Sequence, residues 1–168
     1  QKRAQSFNDV GIAVSAFTGD DIEALGLTQM QDVAAQAPNV KINDTLANSI
    51  PNVSIRGVGL NDYAANNNPA AGIYVDEVYL VSPAMLTFQL FDVERVEILK
   101  GPQGTLYGRN TTAGTVNFVA SKPTSELGSA FTVDYGRYDY TAFEGFVSGP
   151  LAEGLAGRVA VQTVQQGD

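Results

Sequence analysis

"VERVEILKGPQGTLYGRNTTAGTVNFVASKP" occupies residues 93–123. Its flanks, RVEILK and TVNFVA, are rich in β-branched and aliphatic residues and read as strands. Between them lies a glycine-rich passage that carries Lys100 at its start and Arg109 near its middle. Gly101 and Pro102 predict a sharp exit from the first strand. Gly104, Gly108 and Gly114 open backbone angles closed to other residues and permit close packing. The passage therefore reads first as a shaping element, with direct ligand contact at its tip as the second reading.

The segments upstream predict small helices among short strands. Residues 8–18, NDVGIAVSAFT, alternate apolar and small side chains as a strand does. TGDDIEALGL follows as a short helix, with Thr18 or Asp20 accepting from an exposed first-turn amide and Gly26 ending it. TQMQDVAAQAPNV predicts a second helix. Thr28 and Gln31 have capping-box spacing, Val33 and Ala37 share a face, and Pro38 stops it. NVSIRGVG reads as a strand ending in glycines. GLNDYAANNNPAAG reads as a loop, because Asn and Gly tolerate the left-handed backbone. GIYVDEVYL predicts a hairpin turning near Asp76–Glu77, and SPAMLTFQLFDVE a helical piece from Met85 to Phe91. The whole is an α+β pattern.

After Pro123 the texture changes to period-two alternation without helix. Ser129, Phe131, Val133 and Tyr135 alternate with Ala130, Thr132 and Asp134. Leu155, Gly157, Val159, Val161 and Thr163 alternate with Ala156, Arg158, Ala160 and Gln162. Strands of about ten residues joined by turns such as YGRYD and SGPLAEG fit a transmembrane β-barrel. A solvated antiparallel sheet on a soluble core fits the alternation equally well. Three strands cannot close a barrel, so either reading requires partners. The chain starts at QKRAQSF without methionine and stops at QQGD in mid-pattern, so both ends are expected to be cut from something longer.

Composition removes several function classes. There are no cysteines and no histidines, which excludes thiol nucleophiles, Cys/His zinc sites and histidine acid–base catalysis. Net charge is -8 and the Lys and Arg residues are scattered rather than gathered into a basic patch, the reverse of a nucleic-acid binder. No apolar run reaches the length of about 18 residues that a membrane helix needs. GTLYGRNT misses the phosphate-binding loop pattern in its glycine spacing, and Arg109 stands where that pattern has lysine. GVG at 57–59 lacks the third glycine and the following helix of a dinucleotide fingerprint. Glu94 and Glu97 point to opposite strand faces, which suits structural ion pairing better than acid–base work.

The stretch from Arg95 to Asn117 closely resembles the signature of the plug domain of TonB-dependent outer-membrane receptors. That family shows a strand ending in RVEVLKGP, then LYG, then GG-IN. Here these are Arg95–Pro102, Leu106–Gly108 and Ala113-Gly114 leading to Val116-Asn117. IPNVSIRGVG is similar to the family's IRG strand, and GIYVDEVYL to its YVDGV segment. QSFNDVGIAVSAFTGDDIEALG and MQDVAAQAPNV resemble the opening of the plug and its second helix. The blocks cover 5–168 in order. Two departures are Glu77 and Ala113, each where glycine is commoner.

The resemblance implies a globular plug over residues 1–124 and the first three strands of an outer-membrane barrel of about 22 strands over 125–168. It implies an active transporter rather than an enzyme, without cofactor, metal or catalytic residues, in the outer membrane of a Gram-negative bacterium. Its expected partners are TonB, whose binding box would precede Gln1, a small ligand such as a ferric siderophore, and outer-membrane lipid. Cobalamin or oligosaccharide cargo, or a soluble secreted α+β binding module, are the alternatives. By the same resemblance Arg56 and Lys100 form a latch to glutamates on the barrel wall. Gly101, Pro102, Gly104, Tyr107, Gly108, Arg109 and Gly114 form the signature loop. Asn61, Asp62, Tyr63, Asn66, Asn67 and Asn68, with Met85, Phe88 and Gln89, are the candidates for the ligand-facing apex. Phe131, Val133, Tyr135, Phe143 and Val147 would face lipid, Tyr138 and Tyr140 would lie near the aromatic girdle, and Arg158 and Gln162 would face the lumen.

Overall fold

A computed structural model describes residues 11–45, 50–60, 68–81 and 90–167. The chain forms two compact units, Gln1–Ala120 and Ser121–Asp168.

The first unit opens with β1 (Ala13–Thr18) and α1 (Gly19–Ala24). Thr18 caps α1: its Oγ1 accepts from the Asp21 amide at 3.2 Å, and Asp21 Oδ2 accepts from the Thr18 amide at 2.9 Å. Gly26 leaves the helix at φ +62. The second helix, α2 (Met30–Gln36), buries Met30, Val33 and Ala34. Its entrance corrects the expected box. Asp32, not Gln31, is the reciprocal residue, with Oδ2 accepting from the amides of Thr28 and Gln29, each at 2.9 Å. A carboxylate one position later reaches both amides with full charge, which an amide side chain does not offer.

Antiparallel β2 (Val40–Thr45) and β3 (Ile50–Ile55) follow as a separate pair. β4 (Ala71–Val75) and β5 (Val78–Tyr79) form the expected hairpin. Asp76 and Glu77 make its turn at φ 45 and 69, the left-handed pair that a two-residue hairpin demands. β6 (Val93–Lys100) and β7 (Gly114–Ala120) flank the signature loop. Within that loop the sequence pattern missed a four-residue helix, α3 (Gly104–Tyr107). Two glycines bracket it and hid its single turn. The helical piece expected from Met85 falls mostly outside the described residues; Leu90 and Phe91 are in no regular structure.

The main sheet runs in the order β1-β6-β7-β4-β5, with β4 and β7 the parallel pair. One face carries Val96, Ile98, Val116, Phe118 and Ile73, aligned across three strands. These pack with Ile22, Met30, Val33, Val53 and Ile55 into the hydrophobic core. The opposite face carries a transverse row set by register: Ala16, Glu97, Asn117, Tyr74 and Tyr79. Arg95 binds both Glu94 and Glu97, the latter at 2.8 Å. A register shift between Val93 and Arg95 lets both carboxylates reach one guanidinium, despite their nominally opposite faces.

The second unit is a three-stranded antiparallel sheet of β8 (Gly128–Tyr135), β9 (Thr141–Ala152) and β10 (Leu155–Gln165). The second turn is tighter than SGPLAEG suggests. β9 continues to Ala152, and only Glu153 and Gly154 lie between the strands.

Candidate functional site

Register places the ends of several elements together. Ala13, Lys100, Gly114 and Ala71 stand in one row across β1, β6, β7 and β4. The signature loop therefore springs from and returns to this end, beside the start of β4. Backbone bonds close it: Gly101 N to Ala113 O at 2.9 Å, Gln103 N to Thr111 O at 3.0 Å and Ala113 N to Ala70 O at 2.9 Å. Gly114 could not be another residue, since a Cβ there would lie 2.1 Å from the Leu99 carbonyl oxygen, at φ +147. Gly101 and Gly108 also hold positive φ, whereas Gly104 sits within α3. Pro102 and Arg109 are exposed.

Arg56 and Lys100 meet at the same end. Arg56 and Gly57, at φ 55 and 78, form a two-residue turn closed by paired bonds between Ile55 and Val58, each 3.0 Å. The Arg56 amide donates to Asn39 O at 2.7 Å, and its Nη1 lies 3.8 Å from where a Gly101 Cβ would stand. Lys100 Nζ donates to Pro38 O at 2.8 Å. Burial first, and the Arg56 charge second, hold the Lys100 ammonium below its usual range. Among the described residues no carboxylate lies at ion-pair distance from either cation.

A third group escaped the sequence reading. Tyr74 packs against Tyr79 and Tyr107 with ring centroids 5.4 and 4.9 Å away, and its hydroxyl donates to Tyr107 O at 2.7 Å. Burial, and then the nearby Glu97 charge, push the Tyr107 hydroxyl up. Asn110 Nδ2 donates to Tyr79 Oη at 3.0 Å and to Asn68 Oδ1 at 3.2 Å, joining the signature loop to β5 and to the segment before β4. Tyrosines flanking a two-residue turn in YVDEVY are a cross-strand aromatic pair by spacing, and that signal could have found them. Of the apex candidates only Asn68 lies among the described residues; Asn61, Asp62, Tyr63, Asn66, Asn67, Met85, Phe88 and Gln89 lie outside them.

The second unit separates its faces. Phe131, Val133, Phe143, Val147, Val159 and Val161 share one face by register, and all are exposed. Thr132, Asp134, Glu144, Ser148, Arg158 and Gln162 share the other. There the Arg158 guanidinium lies 3.7 Å from the centre of the Phe146 ring, a cation–π contact. Tyr135 extends the apolar face toward the turn that holds Tyr138 and Tyr140.

The TonB-dependent Receptor Plug Domain profile matches residues 6–115. The pesticin receptor of Yersinia pestis is 31% identical over 154 residues, covering 91% of this chain and 22% of that protein. The ferripyoverdine receptor of Pseudomonas aeruginosa is 29% identical over 143 residues, covering 84% of this chain and 17% of that protein. In structure, the ferric yersiniabactin uptake receptor FyuA from Yersinia pestis matches with TM-score 0.74 at 27% identity, over 90% of this chain and 24% of that one. The chain thus spans about a fifth of the length of the curated relatives it matches. It belongs to the TonB-dependent receptor plug domain family.

Proposed function

We propose that this chain is the plug and the first barrel strands of an outer-membrane active transporter, and that the plug gates the lumen for a ferric siderophore. The observation that carries the reading is the sheet that follows the plug. One face, led by Phe131, Val133, Phe143, Val147, Val159 and Val161, is exposed and mainly apolar, and the other carries Thr132, Asp134, Glu144, Arg158 and Gln162, as lipid and an aqueous lumen require of a barrel strand. Relatives named for ferripyoverdine and ferric yersiniabactin support iron-chelate cargo. TonB is the partner that supplies work from the inner membrane. The ligand-facing apex is assigned to residues 59–71 and 82–91, and the signature loop shapes its own end of the plug.

Arg56 and Lys100 form the latch. Among the described residues these two adjacent cations, one partly desolvated, meet no carboxylate, and a confined, poorly screened interface would strengthen pairs with carboxylates of a barrel wall. The test is uptake of radioiron by a receptor-deficient Gram-negative strain expressing the full-length receptor, supplied with different ferric siderophores. Accumulation that needs both the receptor and TonB is expected. Accumulation of cobalamin or oligosaccharide instead would replace the cargo, and absence of all TonB-dependent uptake would overturn the reading.

A further inference from the structure

The polar face of the plug sheet contains a closed site that the transport reading does not use. Thr115 and Asn117 lie two residues apart on β7 and project to the same face. Thr115 is 0% exposed and Asn117 6%. Thr115 Oγ1 and Asn117 Oδ1 are buried, and neither has a hydrogen-bond partner among the described residues. Leaving a buried acceptor unmet is costly, so two such oxygens on alternate positions of one strand call for a donor.

Among the described residues, several neighbouring donors are engaged elsewhere. The Tyr74 hydroxyl, in register beside Asn117, donates to Tyr107 O. Thr111 Oγ1 donates to Gly108 O at 2.7 Å, and Gln103 Nε2 to Gly101 O at 3.3 Å. Arg95 Nε is held by Glu97. The space is also shut. A Cβ on Gly72, the cross-strand neighbour of Thr115, would lie 2.7 Å from Thr111 Cγ2 and 2.9 Å from the Tyr74 ring. On the other side stands Leu99, itself 0% exposed. Atoms this enclosed are reached by nothing larger than water, their usual partner.

We propose that water enclosed between β7 and the signature turn, as one molecule or a hydrogen-bonded pair, donates to Thr115 Oγ1 and Asn117 Oδ1. The signature turn is then held to β7 partly through exchangeable water. That seam can part with its polar groups still met by water, whereas parting the apolar core face exposes hydrophobic surface. This last consequence alone rests on the transport reading; the water site does not.

The test is hydroxyl-radical labelling of the full-length receptor by a brief X-ray pulse in ¹⁸O-water, read by mass spectrometry. Radicals form from bound water in place, so a buried side chain beside it takes up label. Tyr74 on the wet face and Phe118 on the core face are comparably buried, at 5% and 2%. After correction for intrinsic ring reactivity, Tyr74 is expected to label several-fold faster than Phe118. Labelling of Tyr74 at the Phe118 rate overturns the proposal. Thr115→Val gives an independent sign. Removing one protein partner of a bound water is expected to lower the folding equilibrium constant of the plug severalfold, whereas a dry, unpartnered hydroxyl predicts that valine raises it. A rise overturns the proposal. Where the variant does not fold, the wild-type labelling ratio decides. Neither readout depends on uptake, so failure here and failure of the transport reading are distinguishable.

Discussion

Lys100 shows how burial and a like charge act together on a single side chain. Its ammonium is held below the ordinary 10.5, first by burial and then by Arg56. A cation whose folded pKa is depressed weakens the fold while it stays charged, and the penalty is relieved only as pH rises through the folded value toward 10.5. At neutral pH the penalty is fully present, and the proposed carboxylate partner on a barrel wall would offset it. Desolvation would temper the gain, so such a pair would add little net stability and would act chiefly by resisting displacement. In the full receptor, Arg56→Gln with Lys100→Met is expected to lower the force at which the plug yields in single-molecule pulling. An unchanged force would remove the latch from the account. Asp21 presents the opposite sign. Hydrogen bonds from the Thr18 hydroxyl and amide hold its carboxyl below 3.8. A depressed carboxylate stabilises above its unfolded pKa, and that support is lost as pH falls through the folded value. Carboxyl NMR of the full receptor should place the Asp21 midpoint below that of a freely solvated aspartate, and Thr18→Val should bring it back up. A midpoint at the ordinary value in the parent would show the cap to be open.

At the scale of elements, the signature loop depends on one contact more than on its sequence of glycines. Gly114 starts β7 with its α-carbon against Leu99 O and Ile55, and alanine there meets the carbonyl at 2.1 Å. Overpacking and a forced left-handed backbone each cost about 1–3 kcal/mol. Gly114→Ala is therefore expected to destabilise the plug by about 3 kcal/mol or more, read as a fall in the unfolding midpoint. Gly104→Ala, with open space around it and helical backbone, is expected to be neutral or slightly stabilising. Equal effects would show that the loop needs glycine only for flexibility. The same contrast explains what the sequence makes legible. Strands β6 and β7, the Asp76–Glu77 turn and the alternation of β8 to β10 follow from local periodicity and turn chemistry, and all were readable. α3 is a single turn between glycines and leaves no periodic trace. The Asp32 cap required knowing which of two neighbouring polar residues reached back. The Tyr74–Tyr107 contact joins residues 33 positions apart, and the unmet acceptors on β7 appear only when the donors around them are accounted for. Pairing at a distance is set by register, which local pattern constrains weakly.

For the whole molecule, the decisive matter is what the exposed apolar face of the second unit touches. Phe131 is 78% exposed, Val159 69% and Val161 54%, and they stand together on one side of the sheet. In water such a face would be an aggregation surface, and natural sheets avoid it. Against lipid it is the required surface, and a lysine there costs about 2–4 kcal/mol near the bilayer midplane. On the polar face the same substitution meets water. Phe131→Lys and Val161→Lys in the full-length receptor are therefore expected to reduce the amount of heat-modifiable, folded protein in the outer membrane. Thr132→Lys and Gln162→Lys, on the opposite face by register, are expected to leave it near the parent level. A solvated binding module predicts the reverse pattern, because lysine on an exposed apolar face improves solubility and leaves the fold intact. Equal assembly of all four variants would mean that neither face meets lipid, and the barrel reading of residues 128–165 would fall with it.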